Sequence, residues 1–70
     1  MLTKIKLSRM RLELTQRHVA GRLGVSGTFM SQVEAGRAKV PLTRQRQIVD
    51  LLGGEASDFF DEKTGFAKQA

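Results

Sequence analysis

Residues 16–33 read QRHVAGRLGVSGTFMSQV, and this run decides the fold. Its apolar side chains recur at helical intervals on either side of a break. Val19, Ala20 and Leu23 form one face over about Gln16 to Leu23, and Met30 and Val33 form another over about Gly27 to Ala35. The break between them is chemically marked. Gly24 stands where a helix ends in a positive φ, which glycine adopts at little cost. Ser26 stands where the next helix needs an oxygen to accept one of its unpaired backbone N–H groups. Val25 and Met30 have the spacing of a hydrophobic staple around that cap, and Leu14, Thr15 and Val19 repeat the pattern for the first helix.

Two short helices and a tight turn with these residues have the spacing of a helix-turn-helix. Ala20 is small where the second helix crosses, Gly24 turns the chain, and Met30 and Val33 lock the two helices together. The exposed positions of the second helix are then Gly27, Thr28, Ser31 and Gln32. They are small or amide-bearing, suited to meeting base edges in a major groove. An ordinary helical hairpin with a buried seam is the bland alternative.

Outward from the motif, the chain is short and unevenly charged. Seventy residues make one domain, which buries only about 60% of the surface its unfolded chain exposes. That leaves little room for a catalytic cleft. One histidine and no cysteine exclude a disulfide framework and a conventional zinc site, and no nucleophile, base and orienting group assemble into catalytic machinery. The expectation is no metal, no cofactor and no enzyme. No apolar run is long enough for a bilayer, and MLTKIKLSRM lacks a signal-peptide core, so a cytoplasmic protein away from membranes is expected. Of the net charge of +5, residues 1–46 contribute ten Lys/Arg against Glu13 and Glu34, whereas residues 47–70 carry two Lys against five acids. A basic region around the motif favours a polyanion there.

The remaining elements follow from periodicity and caps. A first helix is expected over about Thr3 to Glu13, with Ile5, Arg9 and Leu12 on one face. Gln16 and Arg17 sit in the first turn of the next helix, where unpaired N–H groups and the helix dipole favour an anion. Gly36 ends the second motif helix, and Arg37 and Lys39 lie in a loop that can reach phosphates. Thr43 is the expected N-cap of a fourth helix reaching Leu52, with Arg44 in its first turn available for phosphate. One or two turns over Ala56 to Phe60 place Phe59 and Phe60 side by side. Adjacent aromatics on a short helix point in different directions, so one is expected at an interface. Residues 61–70, with few apolar side chains, read as a frayed tail behind a domain of residues 1–60.

The run IKLSRMRLELTQRHVAGRLGVSGTFMSQVEAGRAKVPL, residues 5–42, resembles the helix-turn-helix domain of the phage-repressor and Cro-like family, of the xenobiotic-response-element type. Arg9, Thr15-Gln16, Val19-Ala20, Leu23-Gly24-Val25-Ser26, Glu34, Gly36 and Leu52-Gly53 carry the likeness. It implies an all-α, lambda-repressor-like bundle of about five short helices. It further implies a largely buried ion pair between Arg9 and Glu34, a Gln16 amide on a DNA phosphate, base contacts from Gly27, Thr28 and Gln32 with Ser31 beside them, and Arg37 and Lys39 along the backbone. Gly27 replaces a long polar side chain, and Gln45 replaces an apolar one. The expected function is a homodimeric, sequence-specific regulator of transcription, of the repressor or restriction-modification controller kind, on double-stranded DNA with a pseudo-palindromic operator. Phe59 and Phe60 are its expected dimer contacts. The alternative is a protein-interaction module, such as an antitoxin or a polymerase-contacting adaptor.

Overall fold

The computed structural model describes residues 2–70. Among them are five α-helices: α1 Lys4–Arg11, α2 Gln16–Leu23, α3 Gly27–Glu34, α4 Leu42–Leu52 and α5 Ala56–Phe59. The fold is the all-α helix-turn-helix arrangement expected from the sequence.

The motif forms for the local reasons its sequence supplies. Thr15 accepts the N–H of His18 at the start of α2, and Ser26 accepts that of Phe29 at the start of α3, both at 3.0 Å. Gly24 adopts φ 68° and ψ 31°, and the Val25 N–H returns to the Ala20 carbonyl at 3.0 Å. Val19, Ala20, Met30 and Val33 are buried together and continue into Ile5, Val40, Ile48, Leu52 and Phe60. One core thus serves the whole chain.

Two helix boundaries differ from the expected ones, and one buried position departs from the usual pattern. Helix α1 stops at Arg11, and Glu13 takes a positive φ of 57° so that Leu14 and Thr15 can enter α2. Leu12 therefore leaves the helical face and is exposed. Helix α4 begins at Leu42, with Pro41 rather than Thr43 at its N-cap. Proline holds the extended entry, and its carbonyl accepts the Gln45 N–H at 2.9 Å to close the first turn. Gln45 is buried, and its amide donates to the Val40 carbonyl at 2.9 Å, so a polar side chain in the core is satisfied.

The last ten residues are bound to the bundle instead of fraying. Phe60 and Ala67 face each other across an antiparallel bridge, as do Thr3 and Gln69. The Lys68 N–H donates to Phe59 at 2.8 Å, while the Lys68 carbonyl accepts the N–H of Lys4 at 2.9 Å. That second bond satisfies one of the N–H groups that a helix start leaves unpaired. Ala67 joins the core. Order here comes from backbone pairing, which any residue type supplies and composition does not register.

Candidate nucleic-acid interface

Helix α3 has two faces of different character. Met30, Val33 and Glu34 are buried, and Gly27, Thr28, Ser31 and Gln32 are exposed. The four exposed positions fall at the i, i+1, i+4, i+5 spacing of a single stripe. Phe29 and Ala35 are half-buried at the stripe's edges, and Phe29 packs against the core. A Cβ at Gly27 would meet nothing within 4 Å, so nothing inside the chain requires a glycine there.

The stripe is held from behind by Glu34. Its carboxylate receives Arg9 Nε at 2.6 Å and Nη2 at 3.0 Å, a two-pronged contact. Glu34 is 2% exposed and the Arg9 side chain 12%, so the pair is shielded from water. A third donor is Gln16, whose amide reaches Glu34 Oε1 at 3.3 Å. Arg9 Nη1 also donates to the Leu14 carbonyl at 2.7 Å, fixing the entry into α2. Glu34 is gripped a second time through its backbone. The hydroxyl of Thr3, fully buried, donates to the Glu34 carbonyl at 2.8 Å and accepts the Lys6 N–H at 3.2 Å. In the sequence Thr3 is only the expected first residue of α1, and its bond to a residue 31 positions away carries no local signal.

The basic side chains divide into two groups. Arg17, Arg37 and Lys39 are exposed. The last two lie in the loop that leaves α3 after Gly36, where the Arg37 N–H returns to the Gln32 carbonyl at 2.9 Å. Arg44 does not stand free: its Nη1 donates to the Leu23 carbonyl at the end of α2 and to Gln47 Oε1, each at 2.9 Å. A cation on the last carbonyls of α2 suits that helix's dipole and fastens α4 to it. Gln16 is likewise half-buried, with its amide turned to Glu34.

The two aromatics part company. Phe60 is 1% exposed and belongs to the core, beneath the bridge to Ala67, so it has no surface to offer a second molecule. Phe59 is half-buried in a groove with Lys4, Leu7, Ser8, Arg11, Asp58 and Ala70. Asp61 organises a turn near the end of the chain. Its Oδ1 accepts the N–H groups of Lys63 and Thr64, both at 2.9 Å. The Thr64 and Lys63 N–H groups hold the carboxyl below the ordinary carboxylate range.

No helix among the described residues is long and apolar enough to cross a membrane. A family model described as a helix-turn-helix domain matches residues 3–58. Comparison with curated proteins and with solved structures gives no match.

Proposed function

The chain belongs to the helix-turn-helix family of DNA-binding domains, and from that premise we propose that it is a sequence-specific transcriptional regulator. In this reading it acts in the cytoplasm as a homodimer on a pseudo-palindromic operator in double-stranded DNA, and represses by occupying it. The observation that carries the reading is the exposed stripe of Thr28, Ser31 and Gln32 on a helix whose opposite face is clamped by buried Glu34. A rigid helix with short polar side chains outward is what a major groove accommodates.

The roles divide by reach. Thr28, Ser31 and Gln32 read base edges, and Gly27 lets the helix approach closely. Arg17, Arg37 and Lys39 contact phosphates and fix the register. Gln16 serves chiefly as part of the Glu34 brace, and its helix start presents N–H groups to a phosphate. With so few long side chains on the stripe, sequence-dependent DNA shape contributes to the choice of site.

In this reading, contact with two successive major grooves takes two copies. The molecule measures 28 Å along its longest axis, whereas successive major grooves on one side of the duplex lie about 34 Å apart. One chain carries one recognition helix and spans less than one turn. Phe59, at the rim of the groove between α1 and α5, is the proposed dimer contact. Phe59→Asp should shift sedimentation toward the monomer, and an unchanged dimer would place the interface elsewhere.

Gln32→Ala tests the base-reading role. It should weaken binding to the specific site by about 1–3 kcal/mol and leave random duplex nearly unaffected. Equal losses on both would remove Gln32 from base readout. The second reading, a protein-interaction module, draws on the exposed apolar side chains of Met10, Leu12 and Leu42. Absence of any salt-sensitive binding to random duplex would favour it.

A further inference from the structure

We propose that the turn at residues 61–65 positions the phosphate-contacting loop of residues 37–39, with Asp61 and Gly65 as its positioning residues. The proposal rests on the reading above that Arg37 and Lys39 meet DNA phosphates.

The loop is pinned at both ends by different parts of the chain. At its start, the Arg37 N–H is bound to Gln32 on the recognition helix. At its end stands Val40, 2% exposed, with its side chain in the core. The Val40 carbonyl accepts the Gln45 amide, and the Val40 N–H donates to the Gly65 carbonyl at 3.0 Å. The loop thus closes on residue 65, 25 positions beyond Val40 in sequence.

Residue 65 must be a glycine for that closure. Its φ is +76°, a region that other residues enter at a cost. A Cβ there would lie 3.2 Å from the Val40 carbonyl oxygen and 3.3 Å from Cγ of Lys39. The stem of Lys39 therefore runs directly over Gly65, and the turn supports one of the proposed phosphate contacts by touch. Asp61 gives the turn its shape. Besides the two bonds to its carboxylate, its carbonyl accepts the Gly65 N–H at 2.8 Å, and its own N–H donates to Phe66 at 2.9 Å. The chain of contacts runs from the Asp61 carboxylate, through the turn and the Gly65 carbonyl, to Val40 and the end of the loop.

Charge alone predicts the opposite of positioning. Removing an acid from a protein that binds a polyanion should tighten binding. Asp61→Asn removes the charge and keeps a side-chain oxygen to accept the two N–H bonds. Asp61→Ala removes both charge and acceptor. The two variants have equal net charge, so any difference between them reports the turn.

The experiment is a titration of random duplex DNA with wild type, Asp61→Asn and Asp61→Ala over a range of salt, at a temperature where all three give the same helical circular dichroism. Asp61→Asn should bind at least as tightly as wild type. Asp61→Ala should bind several-fold more weakly than Asp61→Asn, with a log K against log salt slope shallower by about 0.9, the value of one phosphate contact. In a Lys39→Ala background, Asp61→Ala should cause no further loss of slope. Identical curves for Asp61→Asn and Asp61→Ala would overturn the proposal. So would a loss in Asp61→Ala that is the same factor at every salt concentration, which marks loss of folded protein, or a full additional loss in the Lys39→Ala background. If wild type itself shows no salt-dependent binding, the DNA-binding reading fails and the positioning proposal with it, an outcome the wild-type curve identifies unaided.

Discussion

Residues 16–34 and residues 61–70 are both firmly held, but by bonds of different range. In the first region the defining contacts are short: Thr15 to His18, Ser26 to Phe29, Ala20 to Val25. In the second they are long: Gly65 to Val40, Lys68 to Lys4, Ala70 to Leu2. The first region carries the exposed stripe, and the second carries no proposed DNA contact yet supports the loop beside it. The exposed face of α3 is built by local chemistry, and its support is completed by partners far away in sequence. Glu34 joins the two schemes, since Arg9, Gln16 and Thr3 all converge on it from outside α3.

The largest effect should come from breaking that junction. Glu34→Ala leaves the largely buried Arg9 charge without its carboxylate partner, and should cost about 3–5 kcal/mol in chemical denaturation. Replacing both partners, Arg9→Met with Glu34→Leu, should recover most of that loss because no lone charge remains. A cost below about 1 kcal/mol for Glu34→Ala would mean that the pair behaves like a surface pair.

The same substitution should then have opposite signs in the two regions. Gly65→Ala enters a positive φ against the Val40 carbonyl and Lys39, and should destabilise by about 1–2 kcal/mol. Gly21, inside α2, has nothing within 4 Å of the place a Cβ would occupy, so Gly21→Ala should stabilise by about 1 kcal/mol. Thermal unfolding of the two variants checks both signs. A stabilised Gly21→Ala variant that loses DNA affinity would add a close approach of DNA to Gly21. Ser26→Ala, which removes the cap of α3, should cost about 1 kcal/mol, a purely local loss in the region of short bonds.

The smallest expected effect is one of pH, confined to the tail. Asp61 is held below its ordinary value of 3.8 by the Thr64 and Lys63 N–H groups. Its ionised form is the one the fold favours, so the stabilisation is complete above the unfolded value and is lost as pH falls through the lower folded value. Protection of the Lys63 and Thr64 amides against hydrogen exchange should fall in that acidic range, and Asp61→Asn should abolish the pH dependence. Protection independent of pH in wild type would mean that the carboxylate does not shape the turn.

The range of the bonds also explains what could be read in advance. Caps, staples and the glycine turn act within about five residues, so the motif and the buried set of Val19, Ala20, Met30 and Val33 were evident from spacing. The partnership of Arg9 with Glu34 came from family likeness, since their spacing carries no helical period. Arg44 read as a free cation because nothing in sequence ties it to the Leu23 carbonyl, 21 residues away. Phe60 read as an interface residue because the segment that covers it looked unstructured, and that segment is ordered by backbone pairing. Arg44 and Phe60 thus share one cause, a partner distant in sequence that attaches through the main chain.

The central claim is that the exposed stripe of α3 discriminates among DNA sequences. The most direct test is a selection of duplexes from random DNA by the wild-type chain, followed by titration of the selected duplex and a scrambled duplex of equal composition at physiological salt. The selected duplex should show two related half-sites about one helical turn apart, bound at least about 10³-fold more tightly than the scrambled one. Equal affinity for the two duplexes would contradict the claim and leave α3 as a structural helix on a protein that binds DNA by charge alone.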